Sequence, residues 1–275
     1  MADFFRNFHE NEETLATEGA LKTLAVVGWA KPLLSKIGPN ALMAVRTKRS
    51  LCFEARFAAE IHNANCNADY EYPTGMGATS VDFRVRGPAE WLIEIVSVDI
   101  SEAVRRATTE EGDYSSFSLS STNTDPRSSE EGEMVRATEK IAAKVQKFPP
   151  VRSNVYHIIL ADMRGYLLKG GDRTDYRQMA YGPSDVPPQF IHHWEGRPIR
   201  GLFERENPLT LAKQIQERIH FLGFGRERHY ATGELRDSRA VYYLPNPHLM
   251  SQQQALAAYS IYPVKALSNT KPNAP

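Results

Sequence analysis

The chain has no net charge, few cysteines and no long apolar run. Its 33 basic and 33 acidic side chains cancel, so bulk charge gives no argument for binding a nucleic acid or an anionic membrane. Such binding has to come from local patches. The two cysteines, Cys52 and Cys66, are too few for a disulfide framework or a zinc cluster and fit a reducing, cytoplasmic setting. Neither has the His and Asn context that activates a thiol. The most apolar early stretch, Leu21 to Leu34, is broken by Lys22, Lys31 and Pro32, short of the ~20 apolar residues that a spanning helix needs. The acidic start MADFFRNFHENEE lacks the basic region of a secretory signal. No membrane partner is expected. A P-loop is missing too, since no Lys-Ser/Thr follows Gly75-Met76-Gly77, which reads as a hairpin turn.

What is present suits a globular core. The 275 residues are 41% apolar and 10% aromatic, which excludes global disorder and allows one large or two small domains. Charge is unevenly placed. Residues 101–133 hold eight acids against three Arg, and 134–177 hold nine basic residues against four acids. Basic surfaces flanking an acidic loop and ordinary solvated faces both account for this. Nine of the fifteen residues from Ser115 to Ser129 are Ser or Thr, so 113–132 is expected to be a disordered loop.

Around that loop the residues predict a definite element order. Ser50 is placed to cap a helix running to about His62, with Leu51, Phe53, Phe57, Ala58 and Ile61 as its apolar stripe. Asp69–Pro73, Thr79–Arg86 and Trp91–Ile100 read as three strands, the last nearly all apolar and therefore central. After Gly132 a helix is predicted to about Phe148, where Pro149-Pro150 stops it, followed by a strand over Asn154–Asp162. Three meandering strands and a helical crossover into a fourth require a mixed sheet with helices packed on it. Residues 166–206 read as irregular. A helix from Pro208 is predicted to end at Gly223, a short one follows Ser251, and the tail reads as frayed.

Two carboxylates stand where carboxylates do not normally belong. Glu94 lies within Trp91-Leu92-Ile93-Glu94-Ile95-Val96 and projects to the face of Leu92, Val96 and Val98. An ionised carboxylate left there alone costs several kcal/mol. Asp82, on the preceding strand of the hairpin, is placed to lie near it. Two like charges in a partly buried site call for a cation between them, and Mg²⁺ suits carboxylate oxygens. Salt bridges to Arg56 or Arg84, or an exposed Asp82 on an edge strand, are the competing explanations.

Helix-strand-strand-strand-helix-strand, with Asp82 on the second strand and Glu94 on the third, resembles the core of the PD-(D/E)XK nuclease superfamily, the restriction-endonuclease-like fold. The resemblance covers roughly residues 48–163. It implies metal-dependent phosphodiester hydrolysis, with Asp82, Glu94 and the Ile95 carbonyl around Mg²⁺ or Mn²⁺, and with Glu60, or less readily Glu54, as the acid of the first helix. Val96 stands where the family's motif has its Lys. Some members carry that Lys on the following helix, which here offers Lys140, Lys144 and Lys147. Lys140 or Lys144 is the expected replacement, ahead of Lys147, and a snorkelling solvated row is the competing account.

The reading is therefore α/β. A four-stranded mixed sheet with flanking helices forms a nuclease-like core over 48–165, with an N-terminal helical extension at 1–47 and a C-terminal region, 166–275, packing on the core. Arg46, Lys48, Arg49 and Arg56 are the candidate contacts for a DNA or RNA backbone, and a homodimer is left open. The alternative function is a catalytically degenerate nuclease fold that binds nucleic acid or a protein without cutting. His192-His193-Trp194 and the His220–His229 run read as packing or surface features.

Overall fold

The computed structural model describes residues 2–111, 114–117, 129–167, 170–227 and 239–264. The expected frayed tail and most of the expected Ser/Thr-rich loop lie outside the described residues. Four helices open the chain: α1 (Ala2–Leu24), α2 (Lys31–Ile37), α3 (Ala41–Thr47) and α4 (Arg49–Asn63). Three strands follow, β1 (Asn67–Pro73), β2 (Ser80–Arg86) and β3 (Glu90–Ser97). Then come α5 (Glu102–Ala107), the hairpin β4 (Thr108–Glu111) and β5 (Tyr114–Phe117), α6 (Glu130–Ala143) and β6 (Val155–Asp162). The chain continues through α7 (Arg173–Tyr181), the short pair β7 (His193–Trp194) and β8 (Arg197–Pro198), α8 (Thr210–Arg218), β9 (Phe221–Glu227), β10 (Arg239–Pro245) and α9 (Gln252–Ile261).

The main sheet is mixed, in the order β1-β2-β3-β6-β9-β10. β3, β6 and β9 are parallel, and the outer pairings are antiparallel. The α/β class agrees with the sequence, but the sheet has six strands rather than four. The difference arises at Gly223, which reads as a helix stop and lies instead inside β9. A Cβ there would stand 3.0 Å from side-chain carbons of Leu160 and Tyr243, so glycine serves close packing and not a helix end. Residues 166–275 thus supply two strands of the same sheet. They also supply α7, in a stretch expected to be irregular, with Asp172 and Asp175 forming its capping box.

Other corrections concern helix ends. α4 begins at Arg49, with Ser50 inside it and no side-chain cap from the preceding Lys48. α6 begins three residues before the expected start, because the Ser129 hydroxyl accepts the Gly132 N–H and Glu130, Glu131 and Glu133 suit the positive end of the helix dipole. Within 113–132, Tyr114–Phe117 form β5 and residues 130–132 open α6, and residues 113 and 118–128 lie outside the described residues. After Ala143 the helix tightens into a 3-10 turn over Lys144–Lys147.

Helices cover both faces of the sheet. On one, Leu24, Leu33, Phe57 and Tyr262 from α1, α2, α4 and the end of α9 pack on Phe83, Ile93, Ile95 and Leu160. On the other, Met134, Ile141, Met179 and Ile215 from α6, α7 and α8 pack on Leu92, Val96, Ile159 and Leu222. No helix among the described residues is long and apolar enough to cross a membrane.

Two buried histidines tie β6 to the loop before β9. The His157 N–H donates to His220 Nδ1 at 3.1 Å, and His157 Nδ1 lies 2.8 Å from the Arg218 carbonyl oxygen. Burial pushes His157 down to about 4. His220 is pushed down to about 3 by burial and then by the charge of His157. A depressed folded value stabilises the fold above the ordinary 6.5 and is lost as acid protonates the unfolded chain first. From these two groups alone, stability is expected to fall by several kcal/mol between about pH 7.5 and about pH 4.5. Buried carboxyls with raised values act in the opposite direction over the same interval. The measurement is therefore the difference in pH dependence of the denaturant midpoint between the wild type and a His157→Gln/His220→Gln variant. An identical pH dependence of the two overturns this assignment.

Candidate active site

β2 and β3 pair only from Phe83↔Ile93 to Arg86↔Glu90. Beyond Phe83 the ladder stops, and the Asp82 carboxylate takes over as acceptor, receiving the Ile95 N–H at 2.6 Å. The neighbouring β1 departs from regular geometry at the same level, where Glu71 has φ +52°. Val81 joins the core under α6, whereas Phe83 and Val85 join the core under α4. Residues two apart normally share a face, so β2 rotates at Asp82. The rotation leaves the C-terminal half of β3 without backbone pairing to β2, a gap in the ladder. Because a residue's N–H and C=O point to the same side of a strand, the Ile95 carbonyl also faces that gap.

Glu94 lies on the α6 side with Leu92 and Val96, as alternation predicts, and is fully buried (0% exposed). Lys144 Nζ donates to its Oε1 at 2.8 Å and Lys147 Nζ to the same oxygen at 2.6 Å. The 3-10 turn makes this double approach possible. Positions i and i+3 eclipse in a 3-10 helix, whereas an α-helix would set them apart around its axis. The Thr74 hydroxyl, donating to the Lys147 carbonyl at 2.6 Å, anchors the turn from the β1–β2 side. Glu94 Oε2 is buried without a hydrogen-bond partner among the described residues.

The third acid is Glu54, from α4. It is buried, and its Oε2 accepts the Tyr70 hydroxyl at 2.9 Å. Burial first, and then the negative charge of Glu94, push Glu54 up to about 7 against the help of the Tyr70 hydrogen bond. Asp82 is also raised well above the ordinary carboxylate range. Burial is the main cause, followed by Glu94 and Glu54, with the Ile95 N–H and Lys147 opposing. Burial alone would lower Lys147, but its bond to Glu94 and the surrounding acids raise it on balance. Glu54, Asp82 and Glu94 therefore act on one another in a low-dielectric pocket that holds two ammonium groups.

The remaining sequence candidates lie elsewhere. Lys140 binds Asp99 at 2.7 Å beyond the end of β3 and does not reach Glu94. Glu60 is six residues further along α4 and is not among the leading causes of the shifts at Asp82 or Glu54. Arg56 is buried, donating to Glu13 at 3.2 Å and to the Thr17 hydroxyl at 2.8 Å, so it holds α1 to α4 and cannot meet a phosphate backbone. Lys48 Nζ is taken by the Lys36 and Ile37 carbonyls at the end of α2. Arg49 is half exposed and gives its Nε to Glu13 at 2.9 Å. Arg46 lies on α3, and its side chain is outside the described residues. Tyr70 was absent from the sequence candidates, since nothing in DYEYP marks one tyrosine for Glu54.

A hard divalent cation fits the donor set. Asp82, Glu94, Glu54 and the Ile95 carbonyl are all oxygen donors, Glu94 keeps an uncommitted buried oxygen, and the mutual repulsion of the acids is what a cation would relieve. Among the described residues, no group of three or more acidic, His or Cys side chains is placed to hold a metal ion, so the match is one of donor chemistry and not of assembled geometry. The lysines on Glu94 occupy part of that space. No family model, curated protein or solved structure matches the chain.

Proposed function

We propose that the chain is a metal-dependent nuclease-like protein that hydrolyses phosphodiester bonds in DNA or RNA, on a restriction-endonuclease-like core embedded in the larger sheet. The observation that carries the reading is that buried Glu54 and Glu94 and half-buried Asp82, from α4, β3 and β2, act on one another where the β2–β3 ladder stops, with two lysines bound to Glu94. A Mg²⁺ or Mn²⁺ ion held by Asp82, Glu94 and the Ile95 carbonyl, with Glu54 beside it, would polarise a phosphate oxygen and acidify a bound water. Lys144 and Lys147 supply the positive charge that Val96 cannot, where negative charge grows on the phosphorus oxygens. Glu54, raised to about 7, is tuned to take up a proton near neutral pH. The Tyr70 hydroxyl fixes its carboxylate in place.

The test is incubation of the purified protein with plasmid, single-stranded DNA and RNA in Mg²⁺, Mn²⁺ or EDTA. Cleavage in either metal that EDTA abolishes supports the reading, and its absence on all substrates overturns it. The same two lysines favour a second reading, because an acid already neutralised by ammonium groups has less need of a cation. In that case the fold binds nucleic acid or a protein without cutting. Mn²⁺ separates the readings without an activity assay. A bound cation raises the melting temperature by mass action, and Asp82→Asn is expected to remove that rise only in the metal-dependent case.

A further inference from the structure

A cavity of ≈ 220 Å³ opens beyond the C-terminal ends of β3 and β6, lined by Arg49, Ser50, Ser97, Arg105, Asp162 and Arg164. Two acids border it, and both are already matched. Asp162 receives Arg164 Nε at 2.8 Å and the Ser97 hydroxyl at 3.2 Å, and Asp99 receives Lys140 at 2.7 Å. The cationic side is less committed. Arg49, with its side chain 52% exposed, contributes only its Nε to Glu13. Arg105 is 65% exposed, and its two contacts, a 3.4 Å pair with Glu102 and a 3.2 Å hydrogen bond to the Ile100 carbonyl, are both at the surface. Planar guanidinium edges beside hydroxyls suit a tetrahedral oxyanion, and Arg binds phosphate through paired donors. A metal ion would instead meet acids held by their own cations.

The cavity adjoins the acid cluster along two elements. Ser50 and Glu54 are one helical turn apart on α4. Ser97 follows Glu94 by three residues on β3, about 10 Å along the strand, and by alternation projects to the α4 side with Ile95, the side that Glu54 enters from. One nucleic-acid strand can span that distance. We infer that this cavity is a phosphate subsite, holding a phosphate of the substrate strand next to the bond that is cut. The inference rests on the nuclease reading for its role, though not for the binding itself. The phosphate is either the terminal monoester of a strand or an internal diester.

The full chain is titrated in EDTA with inorganic phosphate, and then with 5′-phosphorylated and 5′-hydroxyl forms of one short oligonucleotide. Phosphate is expected to raise the melting temperature of the wild type and of Asp82→Asn alike. The Arg49→Gln/Arg105→Gln double variant is expected to bind phosphate about tenfold more weakly or worse. Preference for the 5′-phosphorylated oligonucleotide assigns a terminal phosphate. Equal affinities that both fall in the double variant assign an internal one. No effect of phosphate on the wild type, or unchanged affinity in the double variant, overturns the subsite. Should the double variant not fold, Arg105→Gln alone, on the exposed face of α5, carries the same comparison. Because EDTA stops cleavage, binding without any metal-dependent cutting would sink the nuclease reading and keep the subsite, and cutting without phosphate binding would do the reverse.

Discussion

Asp82→Asn is expected to reduce metal-dependent cleavage about a thousandfold, roughly 4 kcal/mol of transition-state stabilisation, without destabilising the fold. The substitution keeps an oxygen to accept the Ile95 N–H, the hydrogen bond that ties β2 to β3 where their backbone ladder has ended. It removes a charge that burial and two neighbouring acids disfavour, so the melting temperature should hold or rise. This combination is diagnostic. A residue kept for stability loses stability when neutralised, whereas a residue kept for function against its own electrostatics does not. Cleavage at the wild-type rate in Asp82→Asn would remove the gap between β2 and β3 as the site of chemistry.

The second large effect concerns the two lysines. Replacing both Lys144 and Lys147 with Met is expected to cost about 3–5 kcal/mol of folding stability, because Glu94 would be left as an uncompensated charge in the core. Both amines reach one oxygen of a fully buried carboxylate, and no other hydrogen bond to its second oxygen exists among the described residues. Adding Glu94→Gln to the double variant should recover most of that loss while leaving cleavage absent. Denaturant unfolding of the double and triple variants reads both steps. A double variant as stable as the wild type would mean that Glu94 is neutral or matched elsewhere, and the charge account of the pocket would fail.

The lysine stripe shows how far sequence reasoning reached. Lys140, Lys144 and Lys147 share one side of a helix that passes over β3, which periodicity alone established. Which of them meets Glu94 depends on the depth of the helix over the sheet and on where it tightens. Lys140 sits one turn too early and finds Asp99. The 3-10 turn brings Lys147 into line with Lys144. A change from α to 3-10 geometry leaves no mark in the hydrophobic pattern, so the order of preference among the three was not readable.

The acid of α4 gives the same lesson. Glu54 and Glu60 lie three residues either side of Phe57, the centre of the buried stripe, and at 3.6 residues per turn they flank it symmetrically, about 60° to each side. A helical wheel has no means of choosing between them. The choice falls to the side of α4 that faces the rotated end of β2, where Tyr70 also waits. Arg56 failed as a backbone contact for a related reason. A basic residue on a helix looks solvated until the packing of α1 brings Glu13 and Thr17 over it.

The sequence by itself determined the α/β class, the presence of the first three strands, and the placement of two acids on adjacent strands, because side-chain period and turn residues are local properties. The tertiary structure alone decided the sheet's full width, the rotation of β2 at Asp82, and which helix acid and which lysines complete the pocket. Those depend on distances between elements far apart in the chain, and no local pattern encodes them.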